Sequence, residues 1–158
     1  MNYRPIEDGD IKYVWAAYKK GALSSMGFEG TDLNAEKFKS EFERIVVTQC
    51  PTTWVLLAKT RSGMTPMGVV FGSWAPNANY IIVSGMCWFP WASKRNIIES
   101  IVNFLNGVRK DFMLQFYALP EHKRTYEVCA MHGSVRRVGT SYVAIPGKAC
   151  AVFETKAA

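Results

Sequence analysis

The stretch from Cys87 to Arg109, CWFPWASKRNIIESIVNFLNGVR, constrains the fold more than any other. An apolar strand ends, a compact loop follows, and the longest amphipathic helix of the chain begins. Ile97, Ile98, Ile101, Val102, Leu105 and Val108 recur at helical spacing, so one broad side of that helix must be buried. Ser93 is a good N-cap, because its hydroxyl can accept a bond from an orphan N–H of the first turn. Lys94 and Arg95 then place two cations where the helix dipole is already positive. Free N–H groups and two cations together would make an anion site over Ala92, Ser93, Lys94, Arg95 and Asn96. The plainer reading is an exposed helix start whose basic side chains reach water.

The flanking segments predict the rest of the order. Tyr3 to Ile6 reads as a short strand, followed by a helix that Asp8 or Asp10 can cap, with Ile11, Val14, Trp15 and Tyr18 on one side. A loop over Gly27 to Gly30 leads to a second helix starting near Asp32 or Asn34, with Phe38, Phe42 and Ile45 in register. Pro51 stops it. Thr53 to Thr60, Met67 to Trp74 and Tyr80 to Phe89 read as three strands joined by short turns at 61–66 and 75–79, hence antiparallel neighbours. Gly85 inside the third predicts a bulge or a close backbone approach. After the long helix come a strand, Met113 to Ala118, and a helix opened by Pro120 and ended by Gly133. A hairpin, Val135 to Val143 and Ala149 to Thr155, closes the chain around 145–148.

Residues 1–158 are expected to form a single domain, since this length buries a real core and 49% of residues are hydrophobic. No apolar stretch reaches membrane-spanning length, and MNYRPIEDGD is polar where a signal peptide needs an apolar segment. Those features predict a protein of the cytoplasm, or one packaged from there. The net charge of +6 is dispersed in pairs such as Arg109-Lys110 and Arg136-Arg137, which fits phosphate-bearing ligands, nucleic acid or an acidic partner without choosing among them. Cys50, Cys87, Cys129 and Cys150 form no CxxC pair, and His122 and His132 lack ligand spacing, so free thiols and no metal site are expected.

The predicted order, β-α-α-β-β-β-α-β-α-β-β, is that of an α/β domain with a mixed sheet. It resembles the GNAT (Gcn5-related N-acetyltransferase) fold over nearly the whole chain. Tyr3-Arg4-Pro5-Ile6 with its Asp-capped helix is similar to the opening unit of that family. The segment from His122 through Gly133 into Arg137-Val138-Gly139-Thr140 is similar to its last helix and following strand. The resemblance implies that the strand before the long helix splays from its neighbour to admit an acyl-CoA, with Met86, Cys87 and Trp88 alongside it. It also implies a pyrophosphate loop of pattern R/Q-x-x-G-x-G/A.

That pattern falls on Phe89-Pro-Trp-Ala-Ser-Lys94. Phe89 stands where Arg or Gln is expected, and Ala92 and Lys94 replace the glycines that let a backbone approach phosphate. The family's general acid, a Tyr four residues before the Gly that ends the last helix, falls on Cys129. Tyr126 lies nearly one turn earlier. The loop WFPWASKRN and its surroundings also look like proteins of tailed bacteriophages, in part like the small internal virion protein of T7-like phages.

Two roles follow. One is a non-enzymatic phage component for assembly, packaging or DNA ejection, working in the host cytoplasm or within the virion, without cofactor. Its partners would be other virion proteins, with nucleic acid and self-association also open to it. Exposed aromatics among Trp74, Trp88, Phe89 and Trp91 would support that role. The alternative is an acyl-CoA-dependent N-acyltransferase using acetyl-CoA or another acyl-CoA on a small-molecule, protein or nucleobase amine. A backbone N–H near Met86 to Trp88 would then hold the oxyanion. Pure nucleic-acid binding rests on charge alone.

Overall fold

A computed structural model describes residues 2–18, 34–48, 51–75, 79–118, 123–142 and 147–156. Strand β1 (Tyr3–Pro5) leads through a 3-10 turn into α1 (Ile11–Tyr18), followed by α2 (Ala35–Thr48). The meander β2 (Thr52–Thr60), β3 (Gly63–Trp74) and β4 (Tyr80–Trp88) comes next. It is followed by α3 (Lys94–Val108), β5 (Met113–Ala118), α4 (Lys123–Met131), β6 (Val135–Ser141) and β7 (Cys150–Thr155). The strands form one sheet in the order β1-β2-β3-β4-β5-β7-β6. All neighbours are antiparallel except β4 and β5, whose parallel pairing is made possible by the crossover helix α3 between them. The predicted α/β domain with a mixed sheet is thus the observed one.

Helix starts follow their caps. The Asn34 side chain accepts from the Lys37 N–H at 2.8 Å, which fixes the start of α2. Before α1, the Asp10 carboxylate accepts from the Glu7 N–H at 2.9 Å while receiving two Arg4 nitrogens at 2.7 and 2.8 Å. Asp10 therefore caps backwards, onto the preceding turn. At the end of α4, Gly133 takes φ +79, the left-handed stop that its position predicts.

Two strand boundaries differ from expectation by more than one residue. Strand β3 begins at Gly63, four residues before the predicted Met67, and runs through Pro66. Pro66 is tolerated because the β2–β3 register shifts there, between Leu56 and Leu57, so a bulge absorbs the missing donor. Strand β6 ends at Ser141, two residues before Val143. The predicted features at 27–30, Pro120, Cys50 and His122 lie outside the described residues, as do parts of the turns at 75–79 and 145–148.

The sheet carries a core on each face. Against α3 pack Trp54, Leu56, Val70, Ile81, Leu114, Phe116 and Phe153, with Ile101, Phe104 and Leu105 from the helix itself. Against α1 and α2 pack Val69, Phe71, Cys87 and Phe89, meeting Val14, Phe38 and Phe42. Strands β2, β3 and β4 are therefore buried on both faces, which explains their continuous apolar runs. Among the described residues, no helix is long and apolar enough to cross a membrane, and no group of three His, Cys, Asp or Glu could hold a metal ion.

Candidate functional site

The site grows from a mismatch between β4 and β5. The two strands pair in parallel over four residue pairs only, from Tyr80 with Met113 to Val83 with Phe116. Strand β4 then continues to Trp88 and β5 to Ala118 with no further pairing between them. A bulge marks the parting: Phe71 of β3 faces Gly85 and Gly72 faces Val83, so Ser84 is the extra residue. An extra residue bends its strand and raises its twist, which turns the end of β4 away from β5. The Gly85 signal in the sequence thus corresponds to an observed bulge. The result is a V-shaped opening between the two strands beyond Val83 and Phe116.

Along that side the sequence-predicted residues divide. Met86 and Trp88 are half-buried and pack toward the α3 core. Cys87 points the opposite way and is 2% exposed within the α1/α2 core, so only its backbone is available to the opening. Burial pushes the Cys87 thiol up to about 12, which keeps it protonated and inert.

The loop from β4 to α3 is held without glycine. Phe89 is buried and its N–H bonds the Met67 carbonyl at 2.8 Å, while the Ala92 N–H returns to Phe89 O at 3.0 Å. Trp91 donates its indole N–H to the Pro66 carbonyl at 2.7 Å and stacks edge-on against Tyr13. Its ring also meets Phe89 at 5.2 Å. Aromatic packing and one long-range hydrogen bond therefore fix a turn that in the resembled pattern rests on small residues.

At its end Ser93 caps α3, accepting from the Asn96 N–H at 3.2 Å as the sequence predicts. The N–H groups of Lys94 and Arg95 are the orphan donors such a start leaves, and both side chains are exposed. From Arg95 a groove of about 490 Å³ runs along the outer side of α3, lined by Ile98, Glu99, Val102, Asn103 and His132. Ile98 and Val102 give it an apolar floor, and Arg95, Glu99, Asn103 and His132 give it a polar edge, a lining that suits a flat group with polar substituents.

Tyr126 and Cys129 both lie on α4, and their side chains fall outside what the structure describes. Three features escaped the sequence. The Trp91–Pro66 bond spans 25 residues and has no local signature. His132 reaches the groove only because α4 packs beside α3. Gln115 and Tyr117 stand on the face of β5 opposite α3. Their alternation with Leu114, Phe116 and Ala118 was legible, but its meaning depends on the neighbouring strands.

Solved structures resemble this chain over its whole length. A protein from Corynebacterium glutamicum, described as histone acetyltransferase HPA2 and related acetyltransferase, matches 100% of this chain and 98% of its own. Its TM-score is 0.64 at 13% identity. A GNAT-family acetyltransferase from Bacillus anthracis matches 96% and 92% of the two chains, with TM-score 0.65 and 15% identity. The yncA protein of Salmonella typhimurium, solved with its cofactor acetyl-CoA, matches 99% and 93%, with TM-score 0.60 and 7% identity. No protein-family model and no curated protein sequence matches the chain. At these identities the likeness speaks for architecture, and the architecture is plain: the chain has the GNAT fold.

Proposed function

We propose that this chain binds an acyl-CoA thioester and transfers the acyl group to an amine. The observation that carries the reading is the opening between β4 and β5, placed beside the capped, cation-bearing start of α3. The Lys94 and Arg95 N–H groups and side chains would hold the pyrophosphate, and the groove along α3 would take the nucleotide end. The acyl arm would lie in the V, where a β4 backbone N–H near Met86 to Trp88 stabilises the oxyanion. Attack by the neutral amine nitrogen forms the C–N bond and breaks the C–S bond, and the proton lost from nitrogen ends on the CoA sulfur. Placement of amine against thioester supplies much of the acceleration in such a scheme. The likeness to GNAT acetyltransferases, one of them holding acetyl-CoA, supports this reading.

Calorimetric titration with acetyl-CoA tests it. Micromolar binding is expected, weakened roughly tenfold or more in Lys94→Ala/Arg95→Ala, since each charge-assisted contact contributes about 1.5–3 kcal/mol. No heat at millimolar acetyl-CoA would sink it.

A second reading, a non-enzymatic component of a phage particle partnered by other virion proteins, draws on exposed aromatics. Trp74 is 49% exposed where it packs edge-on against Phe112, and Trp91 is 43% exposed. Trp88 is half-buried and Phe89 is core, so two of the four aromatics offer that support. Co-sedimentation with assembled particles, with no acetyl-CoA binding, is the result that would favour it.

A further inference from the structure

The β2–β3 hairpin reaches past the rest of the sheet. Gly68 is the last β3 residue before it to pair with β4, and among the described residues β3 then pairs only with β2, out to Thr60 and Gly63. Trp54 and Leu56 of β2 lie in the α3 core, so alternation turns Leu57 and Lys59 to the α1 side, together with their partners Pro66 and Met64. Trp91 comes to that same side from the loop before α3. Its indole N–H donates to the Pro66 carbonyl at 2.7 Å, and its ring meets Tyr13 of α1 at 5.3 Å. Lys12 Nζ stands 5.0 Å from the centre of the Tyr13 ring. Lys12, Tyr13, Trp91, Pro66, Met64 and Lys59 therefore form one ridge, on the sheet face away from α3 and across β4 from the opening.

Cations stand at the two ends of this ridge and apolar groups between them. Lys12 and Lys59 are exposed, Met64 is 44% exposed and Trp91 43%. The Trp91 ring is held at its N–H by Pro66 and on its sides by Tyr13 and Phe89, so its open surface is in place before any ligand arrives. Segments 57–66 and 89–98 contain Lys59, Arg61, Lys94 and Arg95 and no acidic residue. Glu7, Asp8 and Asp10 precede Lys12, and Arg4 meets Glu7 at 3.7 Å and Asp10 at 2.7 Å. Aromatic surface flanked by cations fits a nucleic-acid strand whose bases stack while its phosphates meet lysine. A protein partner fits less well, because lysine is depleted where proteins meet. A duplex keeps its base faces within its own stack, so the fit is to a single strand.

We propose that the ridge from Lys12 to Lys59 binds single-stranded nucleic acid. One base stacks on Trp91, its neighbour lies against Met64, and Lys12 and Lys59 take the phosphates on either side. This binding needs neither an acyl-CoA nor an acyl acceptor, so it stands apart from the acyltransferase reading.

Fluorescence anisotropy of a labelled oligothymidylate of about 12 nucleotides tests the surface. The single strand is expected to bind at least about tenfold more tightly than its duplex with oligoadenylate. Its log affinity should fall against log salt with a slope of about −1.4, for two phosphate contacts. Trp91→Ala should weaken binding at least about fivefold, the value of one stacked base. Lys12→Gln/Lys59→Gln, two exposed changes that leave the Trp91 anchor alone, should flatten the salt slope, and it serves if Trp91→Ala does not fold. The same double variant should titrate with acetyl-CoA as the wild type does. Equal binding of the duplex, equal binding of a labelled oligoglutamate, or an affinity indifferent to both variants would each overturn the proposal. Binding lost in Lys94→Ala/Arg95→Ala but kept in Lys12→Gln/Lys59→Gln would put the strand at the start of α3 and overturn it too. If the oligonucleotide binds in the expected pattern and acetyl-CoA does not, the acyltransferase reading falls and the ridge stands.

Discussion

Among single residues, Asp10 couples the fold to pH. Burial pushes its carboxyl up, but the Arg4 hydrogen bonds, the Glu7 N–H and the charges of Arg4 and Lys12 together outweigh that and hold it below the ordinary range. A depressed carboxyl contributes stability that is present above its unfolded value, near 3.9, and is lost as pH falls through the folded value. Arg4→Met should therefore cost about 2 kcal/mol at pH 7, since it leaves a buried carboxylate with one fewer charged partner. The wild-type advantage should shrink in urea melts as pH falls below about 4. A gap that stays constant from pH 7 to pH 3 would mean the pair contributes through packing alone. Cys87 and Cys150 complete the residue-scale picture: both are free and buried, as expected of thiols in core positions.

At the scale of elements, the cleft strand is braced from behind. A Cβ built at Gly68 on β3 would lie 2.5 Å from the Trp88 ring and 2.7 Å from the Cys87 carbonyl, so β4 sits closer to β3 than any side chain permits. Gly68→Ala should push the free end of β4 into the opening. It should destabilise the protein by about 1–3 kcal/mol and weaken acetyl-CoA binding more than Lys94→Ala does, as read by melting and calorimetry together. Which parts were legible in the sequence follows from the reach of each determinant. The Ser93 cap, the stripe of α3 and the Gly133 stop are set within a turn or two, and the sequence carries them. The Gly85 signal located the bulge because a glycine in an apolar strand has few other uses. The early start of β3 was hidden, since Pro66 reads as a turn residue until its partner strand supplies a bulge. The anchoring of Trp91 and the ridge from Lys12 to Lys59 were hidden for the same reason: each depends on contacts between segments distant in sequence. Ala92 and Lys94 stand where the resembled pattern has glycines, and the sequence does not show what holds the turn there: the Trp91–Pro66 bond and the packing of Trp91 on Tyr13.

In the whole molecule, one sheet serves two cores, and the opening lies where the sheet changes hands. Strands β1 to β4 are held to each other by antiparallel ladders of three, nine and seven residue pairs, and β5, β7 and β6 by antiparallel ladders of four and six. Between the sets run four parallel residue pairs and the apolar side of α3, with Ser134 bonded to Asn106 at 2.6 Å as a further tie. The link from α3 to β5 passes through exposed Lys110 and Asp111. A polypeptide severed between those two residues would give two pieces, each owning its own antiparallel ladders, with a shared apolar seam to reunite them. Co-expressed as 1–110 and 111–158, the pieces should copurify through a tag on either one, and Phe104→Ala on the seam should abolish their reunion. The narrow junction that leaves room for a ligand would then also make this fold a natural two-part assembly.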